Sequence, residues 1–320
     1  MGGYAKMISF VIPCYCSSVT LPEVEREIRV VMEQRATKWE LILVNDCSPD
    51  NGETMRIIRQ MSAENDNIIG IDLACNFGQH AAIMAGFRKV SGEIVVCLDD
   101  DGQTPADEVG KLLDKIEEGY DAVYARYAQK MHSLFRNFGS SVNETMAEWL
   151  LGKPKDLYVS SYFAIRRFVV DEIVRYRNPY PYVIGLVLRT TKSICNVDIN
   201  HRERQQGSSG YTLKKLFGLW FNGFTSFSVK PLRLATTSGV ILALLGFVYA
   251  VFTVVNKVVN PATPAGWSST ICALMIIGGM LMVMLGLVGE YIGRIYISMN
   301  DAPQYVIREV CQQRQSNEKM

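Results

Sequence analysis

Three neighbouring acids, a glycine and a glutamine, Asp99-Asp100-Asp101-Gly102-Gln103, form the stretch of this chain best suited to chemistry. They follow the apolar run Ile94 to Leu98, which reads as a strand buried on both faces. Unpaired carboxylates are costly to bury. The acids therefore belong just past the strand's end, where an open α/β sheet places its ligand crevice. Hard oxygen donors there suit Mg²⁺ or Mn²⁺, and Mg²⁺ is usually shared with substrate phosphates. Taken alone, Asp-x-Asp also fits a solvated acidic turn. A second candidate is Arg136 with Ser140, four residues apart in a helix-like segment from Met131 to Leu151. They sit off the apolar stripe of Met131, Leu134, Phe135, Phe138, Val142 and Trp149. A guanidinium and a hydroxyl one turn apart can clamp a phosphate; an exposed Arg beside a neutral Ser is the plainer alternative. A third is the polar, glycine-bearing loop from His201 to Tyr211, whose composition suits either a lid over an anion or an ordinary surface loop.

The elements that must position these residues alternate. Strands are expected at Ile8–Pro13, Glu40–Val44, Ile68–Leu73, Ile94–Leu98, Asp121–Arg126 and Tyr158–Ile165. Helices are expected at Leu21–Gln34, Glu53–Glu64, Gln79–Val90, Pro105–Glu118 and Arg167–Tyr176. Such alternation implies right-handed crossovers and a mainly parallel sheet covered on both faces. The loops carrying Tyr15, Asp46, Asn76 and Asp99 all follow strands, so they converge on one sheet edge. No Gly-x-Gly-x-x-Gly follows the first strand, which argues against an ordinary dinucleotide site.

The 320 residues suffice for two domains or one large one. With 33 Lys and Arg against 32 Asp and Glu the net charge is +1, which argues against a nucleic-acid partner held by bulk charge. Eight cysteines without a Cys-x-x-Cys pair read as reduced thiols in a cytoplasmic compartment. Met1 to Lys6 has no apolar signal-peptide core.

The last third changes character. Leu213, Leu216, Phe217, Trp220, Phe221, Phe224 and Phe227 recur at helical spacing opposite Lys214, Lys215, Asn222 and Thr225. That pattern describes a helix lying in the membrane interface, with a core-facing helix as the alternative. Leu234 to Asn256 and Val258 to Gly289 carry no charge, and each is long enough to span a bilayer. The expectation is a hairpin with Pro261 and Pro264 in its loop. Lys214, Lys215, Lys230, Arg233 and Arg294 on one side, against Lys257 near the loop, place both termini in the cytoplasm. Gly278-Gly279, Gly286, Gly289 and Gly293 allow close helix packing within or between subunits, and a homo-oligomer is expected.

Val11-Ile12-Pro13-Cys14-Tyr15, Val44-Asn45-Asp46-Cys47-Ser48-Pro49-Asp50, Asn76-Phe77-Gly78 and Asp99-Asp100-Asp101-Gly102-Gln103 occur in that order. Together they resemble glycosyltransferase family two, with its GT-A fold. The resemblance implies a nucleotide site at Pro13, Tyr15, Asp46, Asn76, Gly78 and Asp99, and a Mg²⁺ or Mn²⁺ ion on Asp101 and Gln103. Arg126, Arg136 and Ser140 match the spacing of dolichyl-phosphate mannose synthases and related polyprenyl-phosphate glycosyltransferases, bactoprenol glucosyltransferases among them. Arg204-x-x-Gly207-x-Ser209-x-Tyr211 matches the loop whose Arg meets phosphate. The implied acceptor-phosphate set is Arg126, Arg136, Ser140 and Arg204, and the implied catalytic set is Asp99, Asp101, Arg126 and Arg204. Departures are Cys16-Ser17-Ser18 after Tyr15, where Tyr-Asn-Glu is common, and Cys75, where an Arg is common. Ser160 and Ser161 stand where many relatives carry an acid, which is closer to the aminoarabinose transferase branch.

The resemblance implies a cytoplasmic GT-A domain over residues 1–210 and an interfacial helix and connector over 211–233. Residues 234–320 then hold two transmembrane helices, about 234–256 and 268–289, and a cytoplasmic tail. The expected activity is inverting transfer of a hexosyl or pentosyl group from a UDP- or GDP-linked sugar to a polyprenyl phosphate, undecaprenyl or dolichyl. It would occur on the cytoplasmic leaflet of the inner membrane and supply lipid-linked sugar for cell-envelope glycans. The alternatives are a saccharide or protein acceptor, and a catalytically silent membrane scaffold.

Overall fold

The computed structural model describes residues 7–102, 104–127, 153–200, 230–259, 266–299 and 302–313. The chain forms two compact units, residues 1–211 with 301–320, and residues 212–300. The first begins β1 (Ile8–Cys14), α1 (Leu21–Gln34), β2 (Trp39–Asn45), α2 (Glu53–Glu64), β3 (Ile68–Leu73), α3 (Gln79–Phe87) and β4 (Ile94–Cys97). A 3₁₀ turn (Ala106–Glu108), α4 (Val109–Glu117), β5 (Ala122–Tyr127), β6 (Phe163–Arg166), α5 (Arg167–Ile173), α6 (Val183–Thr190) and β7 (Ile194–Ile199) follow. After the second unit the chain returns as β8 (Ile307–Cys311).

The strands make one sheet in the order β7-β5-β6-β4-β1-β2-β3-β8. β1 and β4 are buried along their whole length because helices cover both faces of the sheet's centre. On one face α1 lays down Leu21, Val24, Ile28 and Val31, spaced at three to four residues, with Met32 beside them. On the other, α3 is buried from Ala81 to Phe87. It comes so near the sheet that a Cβ on Gly86 would lie 2.4 Å from Val11 Cγ1.

β1 is the strand at which the winding reverses. The chain moves outward from β1 to β2 and β3, then recrosses to lay β4 on β1's other side. The loops leaving β1 and β4 therefore part from each other and open a crevice at the strands' C-terminal ends. Both the Tyr15 loop and the acidic stretch lie there.

The sheet is mixed: β6 and β8 run against their neighbours. The strand expected from Tyr158 begins only at Phe163. Side chains take up the backbone groups that would otherwise pair. Asn196 brackets Tyr158 through its N–H (2.8 Å) and its carbonyl (2.6 Å), and Ser160 donates to the carbonyls of Ala125 and Tyr162. α6 and β7 were not anticipated. Part of the expected C-terminal tail forms β8, an edge strand held by Arg59–Glu309 (2.7 Å) and Arg308–Asp72 (3.2 Å).

The second unit contains α7 (Lys230–Val259) and α8 (Trp267–Met299). Among the described residues no helix is long and apolar enough to cross a membrane, so the two expected spans are not established by them. Both helices nevertheless expose large apolar side chains, among them Leu244, Phe247, Phe252, Met282 and Leu285. The expected helices at 131–151 and 213–227 and the loop at 201–211 lie outside the described residues.

Because Gly86 sets how closely α3 approaches β1, Gly86→Ala should destabilise the first unit by about 1–3 kcal/mol through overpacking. Thermal unfolding measures this; an unchanged midpoint contradicts the packing described.

Candidate active site

At the end of β1 the backbone turns sharply, with Cys16 at φ +58°. The turn aims the Tyr15 N–H at Asp100 Oδ2 (2.8 Å), and the same N–H meets Ser17 Oγ at 2.9 Å. Ser17 Oγ also donates to Asp100 Oδ2, and Thr20 Oγ1 donates to the Asp100 carbonyl. The middle acid is thus the clasp that joins the β1 and β4 loops. Burial pushes its carboxyl above the usual carboxylate range, against the lowering effect of Ser17 and Tyr15.

Asp46, buried at the end of β2, does the same for the next pair of loops. Its two carboxylate oxygens each accept a 2.8 Å bond, from the N–H groups of Phe77 and Gly78. Its own N–H donates to the Cys14 carbonyl at 3.0 Å. Gly78 sits at φ +88°, ψ 158°, a conformation essentially confined to glycine. Among the described residues nothing lies within 4 Å of where its Cβ would be. Asn76 and Tyr15 are exposed beside this crevice, whereas Pro13 is buried in β1. The expected nucleotide residues Pro13, Tyr15, Asp46, Asn76, Gly78 and Asp99 thus lie on strand ends and loops at one sheet edge.

Asp99 is partly buried between Gln79 Nε2, which donates to Oδ1 at 2.8 Å, and Ser161 Oγ, which donates to Oδ2. Desolvation first, and then the charges of Asp101 and Asp100, raise its carboxyl to about 6. The two hydrogen bonds only partly offset this. Tyr127 at the end of β5 is raised to about 12, chiefly by burial, and it also feels the charges of Asp99 and Asp101. Neighbouring strand residues point to opposite faces, and Arg126 accordingly lies on the other side from Tyr127. There it makes a two-pronged pair with Asp198, its register partner on β7, at 2.6 and 3.1 Å. The structure thus brings Tyr127 close to the acidic loop and leaves Arg126 exposed at the same edge. Gln103, Arg136, Ser140 and Arg204 lie outside the described residues.

Among the described residues no three His, Cys, Asp or Glu side chains form a metal-holding group. Asp99 and Asp101 alone could not enclose an ion. They are hard oxygen donors, however, and with Asp100 they make a cluster of three carboxylates, so the donor chemistry of this loop fits a hard divalent cation.

Asp100, Ser17, Gln79, Ser161 and Tyr127 had not been singled out for these roles. Asp100 and Ser17 enter the sequence reading only as members of their stretches, and Ser161 only together with Ser160, in the region where many relatives carry an acid. A hydroxyl there donates to Asp99, whereas a carboxylate would repel it.

Residues 9–174 match the family described as Glycosyl transferase family 2. The chain belongs to glycosyl transferase family 2. Residues 230–295 match the GtrB C-terminal hairpin. Over 315 residues the chain is 34% identical to the undecaprenyl-phosphate 4-deoxy-4-formamido-L-arabinose transferase of Photorhabdus laumondii, covering 98% of this chain and 97% of the relative. The protein of the same name from Yersinia enterocolitica is 34% identical over 319 residues, with 98% and 97% coverage. Among solved structures the family 2 fold recurs in glucosyl-3-phosphoglycerate synthase of Mycobacterium tuberculosis in complex with UDP. The TM-score is 0.53 at 18% identity, over 69% of this chain and 79% of that one. The same enzyme with Mn²⁺ and UDP-glucose gives 0.52 at 18% identity, over 69% and 77%.

The Asp99 environment has a consequence for stability. An acid whose folded pKa lies above its unfolded value of about 3.9 favours the fold at low pH and loses that contribution as pH rises through the folded value. In chelator, Asp99→Asn should therefore gain stability relative to wild type on passing from pH 4 to pH 7, by on the order of 1–2 kcal/mol after discounting for solvent access. Denaturant titrations at the two pH values measure it; a constant difference would contradict the electrostatic account.

Proposed function

We propose that this family 2 enzyme transfers a sugar, with inversion, from a nucleoside diphosphate donor to the phosphate of a polyprenyl lipid such as undecaprenyl phosphate. The observation that carries the reading is the acidic loop at the β1/β4 switch point, built into a chain that matches undecaprenyl-phosphate sugar transferases along nearly its full length. The sugar those relatives are named for, 4-deoxy-4-formamido-L-arabinose, is the first donor sugar to try.

The crevice handles the donor. The Tyr15, Asp46 and Asn76–Gly78 loops hold the nucleoside, and Asp99 lies beside the sugar. Asp101 and Gln103 would hold Mg²⁺ or Mn²⁺, which when bound supplies positive charge to the leaving diphosphate. The acceptor needs little activation. A phosphate monoester has a second pKa of about 6, so it is largely dianionic at neutral pH. One of its oxygens attacks the anomeric carbon, the bond from that carbon to the diphosphate breaks, and the nucleoside diphosphate leaves with the electron pair. No protein base is required. The protein's work is to position two anions and balance their charge, for which Arg126, Arg136, Ser140 and Arg204 are the proposed acceptor groups. In this reading Arg126 exchanges Asp198 for the lipid phosphate.

Membrane attachment is supported by the apolar exposure of α7 and α8 and by the hairpin match. β7 precedes the helical unit and β8 follows it, and both belong to the same sheet. That connectivity supports a hairpin with both ends on one side of the membrane, and the distribution of Lys and Arg supports the cytoplasmic side.

Asp101→Ala should abolish turnover while leaving the protein folded, and chelator should do the same, with Mn²⁺ or Mg²⁺ restoring the wild type. Full activity of the variant in chelator would refute metal use. Arg136→Ala and Arg204→Ala should each cost about ten- to a hundredfold in kcat/KM for the lipid phosphate, the worth of one charge-assisted contact. Donor binding measured without lipid should hardly change. Weakened donor binding with an intact lipid response would refute the acceptor assignment.

A further inference from the structure

The return strand β8 carries a residue, Arg308, tied by hydrogen bonds to the end of β3 and the start of the loop that follows it. Arg308 Nη2 donates to the Ala74 carbonyl at 2.8 Å, and Nη1 meets the buried Asp72 carboxylate at 3.2 Å. From Asp72 the hydrogen bonds continue inward. Asp72 Oδ1 accepts from Asn45 Nδ2 (2.7 Å), Asn45 Oδ1 accepts from Ser48 Oγ (2.6 Å), and Ser48 Oγ accepts from the Cys16 N–H (3.0 Å). The residues on either side of Cys16, Tyr15 and Ser17, are the ones that hold Asp100. A second branch starts at Ala74. Its carbonyl takes Arg308, its N–H donates to the Val306 carbonyl at 2.8 Å, and the chain runs from it straight into Cys75-Asn76-Phe77-Gly78.

We propose that Arg308 is a positioning residue for the donor nucleotide, acting through Asp72–Asn45–Ser48 on the Tyr15 loop and through Ala74 on the Asn76–Gly78 loop. The proposal rests on the donor reading of the crevice. The chemistry favours Arg over any other residue. A planar fork meets the carboxylate and the carbonyl from two fixed nitrogens, whereas an ammonium must reach both from one atom on a flexible stem. Asp72 is buried, so removing its cation leaves a carboxylate with Asn45 as its remaining side-chain donor here, and the relay must rearrange. Exposed Arg59–Glu309 supplies an internal comparison. It fastens the same strand, and although Arg59 feels the Asp72 charge, its hydrogen bonds among the described residues go to Glu309 and not to either loop.

The test uses the full-length protein in detergent, with UDP and GDP each titrated calorimetrically in the presence of Mn²⁺ and without lipid. For whichever nucleotide the wild type binds, Arg308→Ala should raise Kd about tenfold and Arg308→Lys about threefold, while Arg59→Ala stays within about twofold. In turnover the same order should appear in donor KM, with kcat and the lipid KM nearly unchanged. Wild-type affinity in Arg308→Ala overturns the proposal. So does an equal loss in Arg59→Ala, which would reduce Arg308 to a fastener of the strand. Should Arg308→Ala not fold, wild-type affinity in Arg308→Lys overturns it instead. Binding of neither nucleotide by the wild type overturns the donor reading itself, and this inference with it.

Discussion

Three carboxylates at the end of one buried strand are the constraint around which this molecule is built. Left together they repel, and each has been given a different answer. Asp100 is spent on the backbone and hydroxyls of the Tyr15 loop. Asp99 is held between Gln79 and Ser161 and still sits high in pKa. Asp101 stays partly buried in the loop that follows them. The sharp bend at Cys16 and the seating of α3 bring donors to these acids, while the glycine at Gly78 brings one to Asp46. The pattern leaves three carboxylates clustered at the strand's end, which supports the proposed cation site.

The division of labour among the acids also separates binding from support. In an Asp-x-Asp motif the middle position is easily passed over as a spacer. Here it clasps the β1 and β4 loops, the two that flank the topological switch. Asp46 clasps the β2 and β3 loops in the same manner, through backbone N–H groups. Sheet order fixes which loops are neighbours, and buried carboxylates fix how far apart they stand.

Much of the core was legible because it follows from local rules. Apolar runs ending in polar loops gave β1 to β5 nearly to the residue, and α1 and α2 match their expected bounds. Convergence of the Tyr15, Asp46, Asn76 and Asp99 loops followed from parallel strands alone. What was missed depends on distant partners. Nothing local tells that Asp100 meets a backbone N–H 85 residues away, or that Arg126 faces Asp198 across a β5/β7 register. β8 is short, exposed and separated from β3 by both long helices, so its pairing has no signature near it. Tyr158 to Tyr162 looked like strand because its composition is right, yet the side chains of Asn196 and Ser160 capture its neighbourhood's backbone groups first.

The central claim is that the sugar leaves on a lipid phosphate. The most direct measurement incubates the purified full-length protein with a panel of UDP- and GDP-linked sugars, undecaprenyl phosphate and Mn²⁺, and resolves the lipids by mass spectrometry. The account predicts undecaprenyl phosphate heavier by one glycosyl unit, with one nucleoside diphosphate released per lipid converted. Release of nucleoside diphosphate with the lipid unmodified, or sugar transfer only to a soluble saccharide or protein, would contradict it.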